Sequence, residues 1–356
     1  MAAPQPAHEL SGVAIVMATH NGERYLRTQL ESFSGQTLLP SRLYVFDDAS
    51  TDNTMKVLEQ YARTAPFPVV LEVRKNRLGF ADNFLQGALT TTERFIAFSD
   101  QDDVWTARKL EDCIQALVTH QVSLVLHTST PIDGNGIKKR GARRPLILRR
   151  RTVRQISRSN PRADVPGYAQ VFEREVLDAA DPCMRPSSQW FDGQMSHDEY
   201  VYFVALALRG VFFLPRVLAL HRYHDANTSG EDDPLPASIS ALKKNLSSSL
   251  HSDANVYKKR QRQDLEYGEF WRDQSAFQSS ASWLSLAERD GLRASLYEEH
   301  LALRGLKALG RCIASGAYRP RNHAGAGARG FIKDAWQVAL MLKRRGAAPR
   351  KSRPGE

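Results

Sequence analysis

An α/β fold, with a mostly parallel sheet covered by helices on both faces, is what the sequence predicts. Three observations carry this. The first 130 residues hold five short apolar runs of strand length. Amphipathic stretches of helical length separate them. The two kinds alternate, strand then helix, which closes as right-handed crossovers between parallel neighbours.

Residues 13–18 (VAIVMA) form the first strand, with Thr19, His20 and Asn21 behind it, and 25–33 the first helix. Residues 43–46 (LYVF) form the second strand, which runs into Asp47 and Asp48; the helix at 54–62 follows, capped by Asp52 or Asn53. A third strand at 69–73 and a helix at 80–89 come next. The fourth strand, 95–98 (FIAF), ends in Ser99-Asp100-Gln101-Asp102-Asp103; a helix at 108–120 and a strand at 122–127 complete the series. Residues 131–165 are basic and aperiodic, a loop or insertion. Regular structure resumes at 168–180 and in an apolar helix at 197–208, and 211–220 reads as a strand pair broken at Pro215. The turn-rich stretch 225–240 marks a boundary. This divides the chain into a disordered N-terminus (1–10), a main domain (11–230) and a helical extension with a basic tail (231–356), with Trp271, Trp283, Leu284 and Leu286 as packing anchors.

Composition excludes several classes. At 356 residues, 42% hydrophobic and 25% charged, the chain is neither disordered, collagenous nor coiled coil, and fits one large domain or two. The longest apolar candidate, 200–208, stops at Arg209 and Gly210, too short to span a bilayer. The opening MAAPQPAHEL lacks the regions of a signal peptide. Cys113, Cys183 and Cys312 fit no CxxC spacing, so free thiols in a reducing cytosol are expected. The net charge of +10 is concentrated, with eleven basic residues and no acid over 138–162 and six more over 343–353. Such patches suit anionic headgroups, phosphorylated ligands or nucleic acid. No zinc-finger, RNA-binding or basic-zipper pattern accompanies them, so no nucleic-acid partner is expected.

In open α/β sheets ligands bind beyond the carboxyl ends of the strands, and here acids collect at that edge. Asp100 and Asp102 stand at i and i+2 of extended chain, so both can face one ligand. Carboxylates so close repel unless a cation lies between them; Mg²⁺ or Mn²⁺ carrying phosphate oxygens is the usual solution, and helix capping by Asp103 the competing account. Asp47 or Asp48 can accept from a ribose hydroxyl or a base N–H. Asp198 and Glu199 open a helix, where an acid either complements the dipole or serves as a base. Arg222 can clamp phosphate oxygens, and a histidine of His221-Arg222-Tyr223-His224 can complete a metal shell. The GxGxxG at 325–330 follows no strand and reads as a linker.

Taken in order, these residues resemble the inverting family 2 glycosyltransferases with the GT-A fold. The likeness runs over roughly residues 11–230 and rests on Thr19-His20-Asn21, Phe46-Asp47-Asp48-Ala49-Ser50, Asn76-Arg77-Leu78-Gly79-Phe80 with Asn83, and Ser99-Asp100-Gln101-Asp102-Asp103-Val104-Trp105. His127, Gly167-Tyr168-Ala169, His197-Asp198 and His221-Arg222-Tyr223-His224 are similar to the bacterial rhamnosyltransferase-type branch, which builds surface polysaccharides. The resemblance implies Asp48 at the nucleotide base, Thr19 and Asn21 in the turn lining that pocket, and Asn76 and Asn83 on the donor side. It implies Asp100 and Asp102 as the DxD pair for metal and diphosphate, His224 near them, and Asp198 as the base. His197 stands where many members have an acid, which leaves Glu199 as a rival to Asp198.

The implied partners are a nucleotide-diphosphate sugar and a saccharide or lipid-linked acceptor. The implied place is the cytoplasm, with the basic segment, the tail and the amphipathic stretch 331–342 in peripheral contact with an anionic membrane. A nucleotide-sugar pyrophosphorylase and a non-catalytic polysaccharide- or nucleic-acid-binding protein are the alternatives. The first should carry a Gly-rich basic loop near its N-terminus; the second has no use for acids at three strand ends.

Overall fold

The computed structural model describes residues 12–139, 152–153, 165–188, 193–224 and 254–273, with single positions between 284 and 312. The chain divides into two compact units, Met1–Gln155 with Arg162–Ala237, and Ile156–Pro161 with Ser238–Glu356. Residues 1–10, most of the basic segment 138–162, the boundary 225–240, Trp283, Leu286, the stretch 331–342 and the tail lie outside the described residues.

The first unit is one mixed sheet. In chain order its elements are β1 (Val13–Thr19), α1 (Glu23–Ser34), β2 (Arg42–Asp47), α2 (Thr54–Ala62), β3 (Val69–Val73), α3 (Phe80–Leu89), β4 (Phe95–Ser99), β5 (Val104–Trp105), α4 (Lys109–His120), β6 (Leu124–Ile132), β7 (Thr152–Val153), β8 (Gln170–Glu173), α5 (Glu175–Asp178), α6 (His197–Ala207) and β9 (Val211–Arg222). The strands lie in the order β3-β2-β1-β4-β8-β6-β9-β5, with β7 also on β9. The β3-β2-β1-β4 half is parallel, as strand–helix alternation requires. Beyond β4 the sheet is mixed, because β8 pairs antiparallel with both β4 and β6.

Helical spacing explains the core. Leu26, Leu30 and Phe33 of α1, and Leu110, Ile114 and Leu117 of α4, recur every three or four residues and pack with Ile15, Met17 and Val45 of the sheet. Each such side chain contributes about 1.5–3 kcal/mol on burial. On α3, Phe84 meets Phe98 of β4, which in turn meets Phe172 of β8.

Three expectations change. Residues 211–220 are not a broken pair but part of one twelve-residue strand. Pro215 is tolerated because β9 bulges there: its register with β6 jumps from His127–Leu214 to Thr128–Val217, so Pro215 falls where no ladder N–H is needed. β6 continues past His127 to Ile132. Residues 168–180 hold a 3-10 turn (Gly167–Ala169), β8 and α5 rather than one element.

In the second unit, α7 (Ala254–Asp273) buries Tyr267 and Trp271.

Candidate active site at the carboxyl ends of the strands

The β2-β1-β4 adjacency brings three polar turns side by side. Asp47, buried, accepts from the Thr19 hydroxyl (2.8 Å), the Ser50 hydroxyl (2.5 Å) and the Ser50 amide (2.8 Å). It shapes its own turn, and Thr19 is its internal partner. Next to it Ala49 sits at φ 59°, a left-handed conformation costly for a residue with a Cβ. Asn21, at φ 49°, joins the turns by donating its amide to the Ser50 hydroxyl and accepting from the Thr51 amide.

Asp48 takes the other direction. Its carboxylate accepts from the amides of Leu78 (2.6 Å) and Gly79 (2.9 Å), with the Arg77 guanidinium at 3.8 Å. It thus holds down the loop between β3 and α3. Asn76, on that loop, is exposed. Asn83 is buried, donating to the Phe46 carbonyl (2.7 Å) and accepting from Arg74, so it staples α3 to β2.

The acidic turn after β4 is built by residues far away in the chain. Asp103 does not cap α4, whose N-cap is Arg108; it is fully buried and accepts from His221 Nδ1 (2.9 Å) and the Arg222 amide (3.0 Å). Asp102 Oδ2 meets His224 Nε2 at 2.7 Å. The Arg222 guanidinium lies under this turn, donating to the carbonyls of Asp102, Asp133 and Gly134 and covering the Tyr25 ring. Burial and then the charges of Asp103 and Asp102 push the Asp100 carboxyl well above the usual carboxylate range. Burial and Asp103 raise Asp102 too. Burial alone would lower His221, yet the facing Asp103 carboxylate carries it up to about 9.

Lys109 was not foreseen. It is fully buried, donating to the Tyr168 carbonyl (2.7 Å) with its ammonium 3.5 Å from the centre of the Trp105 ring. Burial depresses it to about 7 against the pull of Cys113, Asp103 and Asp100.

The start of α6 supplies the remaining acid. Ser196 and Glu199 form a reciprocal capping box, and Glu199 is buried with a further bond from Ser188 (2.7 Å). Glu199 is therefore spent on the helix end. Asp198 is the more exposed of the two, is held by the Glu199 amide and the Ser196 hydroxyl, and adds its charge to those that raise Asp100. Gln170 of β8 fixes its carbonyl at 3.0 Å. His197 turns inward, stacked on Phe84 (4.2 Å) and edged by Phe98, with both ring nitrogens unpartnered; burial lowers its pKa. Gly167 makes room for it, since a Cβ there would lie 2.4 Å from His197 Nε2.

Sequence reasoning also missed Gln101. Its Oε1 accepts from the His20 amide (2.9 Å) and its Nε2 donates to the His20 carbonyl (3.0 Å), pinning the β4 turn to the β1 turn. Gly22 makes room for this clamp, since a Cβ there would sit 2.2 Å from Gln101 Oε1, a contact no local sequence signal reveals.

A divalent cation fits the donor set from one side. Among the described residues no three His, Cys, Asp or Glu groups enclose a cation. The crowded carboxylates of Asp100 and Asp102, with a buried Asp103 Oδ2 that has no hydrogen-bond partner, are nonetheless the environment a cation relieves. Two carboxylates plus phosphate oxygens and waters suffice for Mg²⁺.

Residues 14–180 match the family described as Glycosyl transferase family 2. An uncharacterized glycosyltransferase of Nostoc sp. is 28% identical over 218 residues, 60% of this chain and 66% of its own length. The dTDP-rhamnosyl transferase RfbG of Shigella flexneri is 24% identical over 231 residues, 64% of this chain and 78% of its own. The UDP-Glc:alpha-D-GlcNAc-diphosphoundecaprenol beta-1,3-glucosyltransferase WfgD of Escherichia coli is 34% identical over 126 residues, 35% of this chain and 48% of its own. The chain thus spans about two thirds, three quarters and half of these three relatives. Among solved structures, S. aureus TarS 1-349 in complex with UDP-GlcNAc superposes with a TM-score of 0.51 at 17% identity, covering 95% of this chain and 93% of that one. That likeness is one of fold, and the α/β GT-A architecture is the one found here.

Proposed function

We propose that this chain, whose residues 14–180 match the Glycosyl transferase family 2 description, is a glycosyltransferase that moves a sugar from a nucleotide-diphosphate donor to a hydroxyl of a saccharide or lipid-linked acceptor, with inversion, in surface-polysaccharide synthesis. The observation that carries this reading is the gathering of Asp48, Asp100 and Asp102 at the carboxyl ends of β2 and β4, with Asp198 at the start of α6 held through its carbonyl by Gln170 of β8, the strand beside β4. Rhamnose is the first donor sugar to test, because a relative is named for dTDP-rhamnosyl transfer.

In this reading Asp48 receives the nucleoside end, exchanging the Leu78 and Gly79 amides for base donors. Asp100 and Asp102 would hold Mg²⁺ or Mn²⁺, which when bound neutralises the leaving diphosphate as a Lewis acid. His224 and Arg222 orient that turn, the first through the Asp102 carboxylate and the second through its carbonyl. Asp198 takes the proton from the acceptor hydroxyl as that oxygen attacks the sugar carbon from the face opposite the diphosphate. The Glu199 amide and the Ser196 hydroxyl fix the direction in which Asp198 points.

No described helix is long and apolar enough to cross a membrane. The basic stretches at 138–162 and 343–353 suit peripheral contact with anionic lipid at the cytoplasmic face, at about 1 kcal/mol per nearby Lys or Arg. Sedimentation with anionic liposomes at low salt checks that contact; protein left in the supernatant removes it.

The deciding experiment is thermal stabilisation by dTDP, UDP and GDP, each with Mn²⁺ and with EDTA. A ligand at 100 times its Kd adds about 2.7 kcal/mol to the native state. A metal-dependent shift with one nucleotide supports the reading and selects the donor class. No shift with any of them refutes it and favours a non-catalytic saccharide-binding protein.

A further inference from the structure

Phe80, the first residue of α3, is 45% exposed. Its exposure is not for want of an apolar site. Phe84, one turn later on the same helix face, is buried at 2% and stacks on His197. Phe80 stops short of that core and meets His197 only edge-on, at 5.9 Å between ring centres. A lone exposed apolar side chain is ordinary on a protein surface; the position of this one is not. The residue before it, Gly79, gives its amide to Asp48. The residue it touches, His197, precedes Asp198. Phe80 therefore lies on the surface between the nucleoside-holding acid and the base. Leu78, two residues earlier, is 38% exposed.

We propose that Phe80 is a platform for the apolar face of a pyranose ring, a substrate-contacting residue of the transfer reaction. This rests on the glycosyl-transfer reading of the site. A sugar ring presents polar hydroxyls at its rim and C–H groups on its faces. Where a ring must be oriented rather than merely charged, a flat aromatic surface complements that face and polar groups complement the rim. The site as described is rich in carboxylates. The ring on Phe80 is either the donor sugar or the acceptor sugar, and the test separates the two.

The full-length chain and its Phe80→Ala and Phe80→Trp variants are titrated calorimetrically with dTDP, UDP, dTDP-rhamnose and UDP-glucose in the presence of Mn²⁺. In a second arm, saturation-transfer NMR follows methyl α-L-rhamnopyranoside and methyl β-D-glucopyranoside with nucleotide present. Because Phe80 is exposed, Phe80→Ala should fold with an unchanged melting temperature. The free nucleotides should bind all three proteins equally. Donor stacking predicts that Phe80→Ala weakens a nucleotide sugar about tenfold, about 1.4 kcal/mol, and that Phe80→Trp restores it. Acceptor stacking predicts instead loss of saturation transfer to the C–H protons of a glycoside, again restored by Trp. Unchanged binding in both arms overturns the proposal. So does an equal loss for free nucleotide and nucleotide sugar, which would make Phe80 only a support for the Asp48 loop. Wild-type protein that binds no nucleotide defeats the glycosyl-transfer reading instead, and the glycoside arm still judges Phe80.

Discussion

Gly79→Ala isolates the backbone cost of the loop that closes on Asp48. Gly79 stands at φ 84° and ψ 158°, a region open to glycine and strained for any L residue with a Cβ. A Cβ there would meet nothing within 4 Å, so no clash confuses the result. The conformational cost is about 1–3 kcal/mol. Reduced freedom of the unfolded alanine chain returns about 0.4–1 kcal/mol. The net loss is therefore on the order of 1–2 kcal/mol, which for a unit of this size lowers Tm by about 2–8 °C. Calorimetry of the apo protein measures it, with Gly35→Ala as control, since Gly35 lies at φ −88° where alanine is at ease. A second readout is nucleotide affinity, because relief of the strain by opening the loop would release the Leu78 and Gly79 amides from the Asp48 carboxylate. The control should gain the unfolded-state contribution of about 0.4–1 kcal/mol; a melting temperature for Gly79→Ala at or above that of wild type would refute the claim that the loop is held in this conformation.

Asp198→Asn should leave nucleotide affinity intact and cut turnover about 10²–10⁴-fold; a parallel fall in donor affinity, read by calorimetry, would reject Asp198 as the base. Gly167→Ala drives a Cβ into the His197 ring and should cost about 1–3 kcal/mol by overpacking, with a fall in kcat because Asp198 is the next residue; urea melts and rate measurements check both parts. His221 holds its proton to about 9 when folded against 6.5 unfolded, and Asp100 is also raised, so below about pH 8 these two outweigh Lys109, which burial depresses to about 7, and the native state is the better proton binder. Stability of the apo protein should then decline as pH rises from about 6.5 to 8, and level off above that, where the depressed Lys109 offsets His221; His221→Gln should flatten the decline, and denaturant midpoints that climb from about pH 6.5 to 8 would contradict it. Ala49→Gly removes left-handed strain and should stabilise the chain by up to about 1 kcal/mol, seen as a higher urea midpoint.

The parallel half of the sheet was legible because periodicity is local. VAIVMA, LYVF and FIAF each became a strand within a residue or so of its expected ends, and each was expected to end in polar residues at the ligand edge. The division of labour among those residues was not legible. Thr19 and Asn83 face inward to brace strand ends, a consequence of contacts 28 and 37 residues apart in the chain. His224 and Asp102 are 122 residues apart, and His221 and Asp103 118, so only the folded sheet can pair them. Lys109 reads as a surface helix residue until α4 is docked on Trp105 and Tyr168. The proposal of Asp198 over Glu199 rests on a feature beyond sequence as well, the capping box, where Glu199 has its carboxylate committed. Pro215 misled because a proline in a strand is compatible with either a break or a bulge, and only the β6 register distinguishes them.

The clamp made by Gln101 acts as a ruler. His20 is gripped through its amide and carbonyl by Gln101 on the β4 side, while its Nδ1 reaches the Asp48 carbonyl (2.8 Å) on the β2 side. The three turns therefore share one frame, and the span from Asp48 to Asp100 is set before any ligand arrives. A molecule with an anionic group and a hydrogen-bonding head fits that frame only if the distance between them matches. In the proposed reading such a frame selects ligands by length, and the turn backbones need little reordering on binding, the exchange of amides at the Asp48 carboxylate apart.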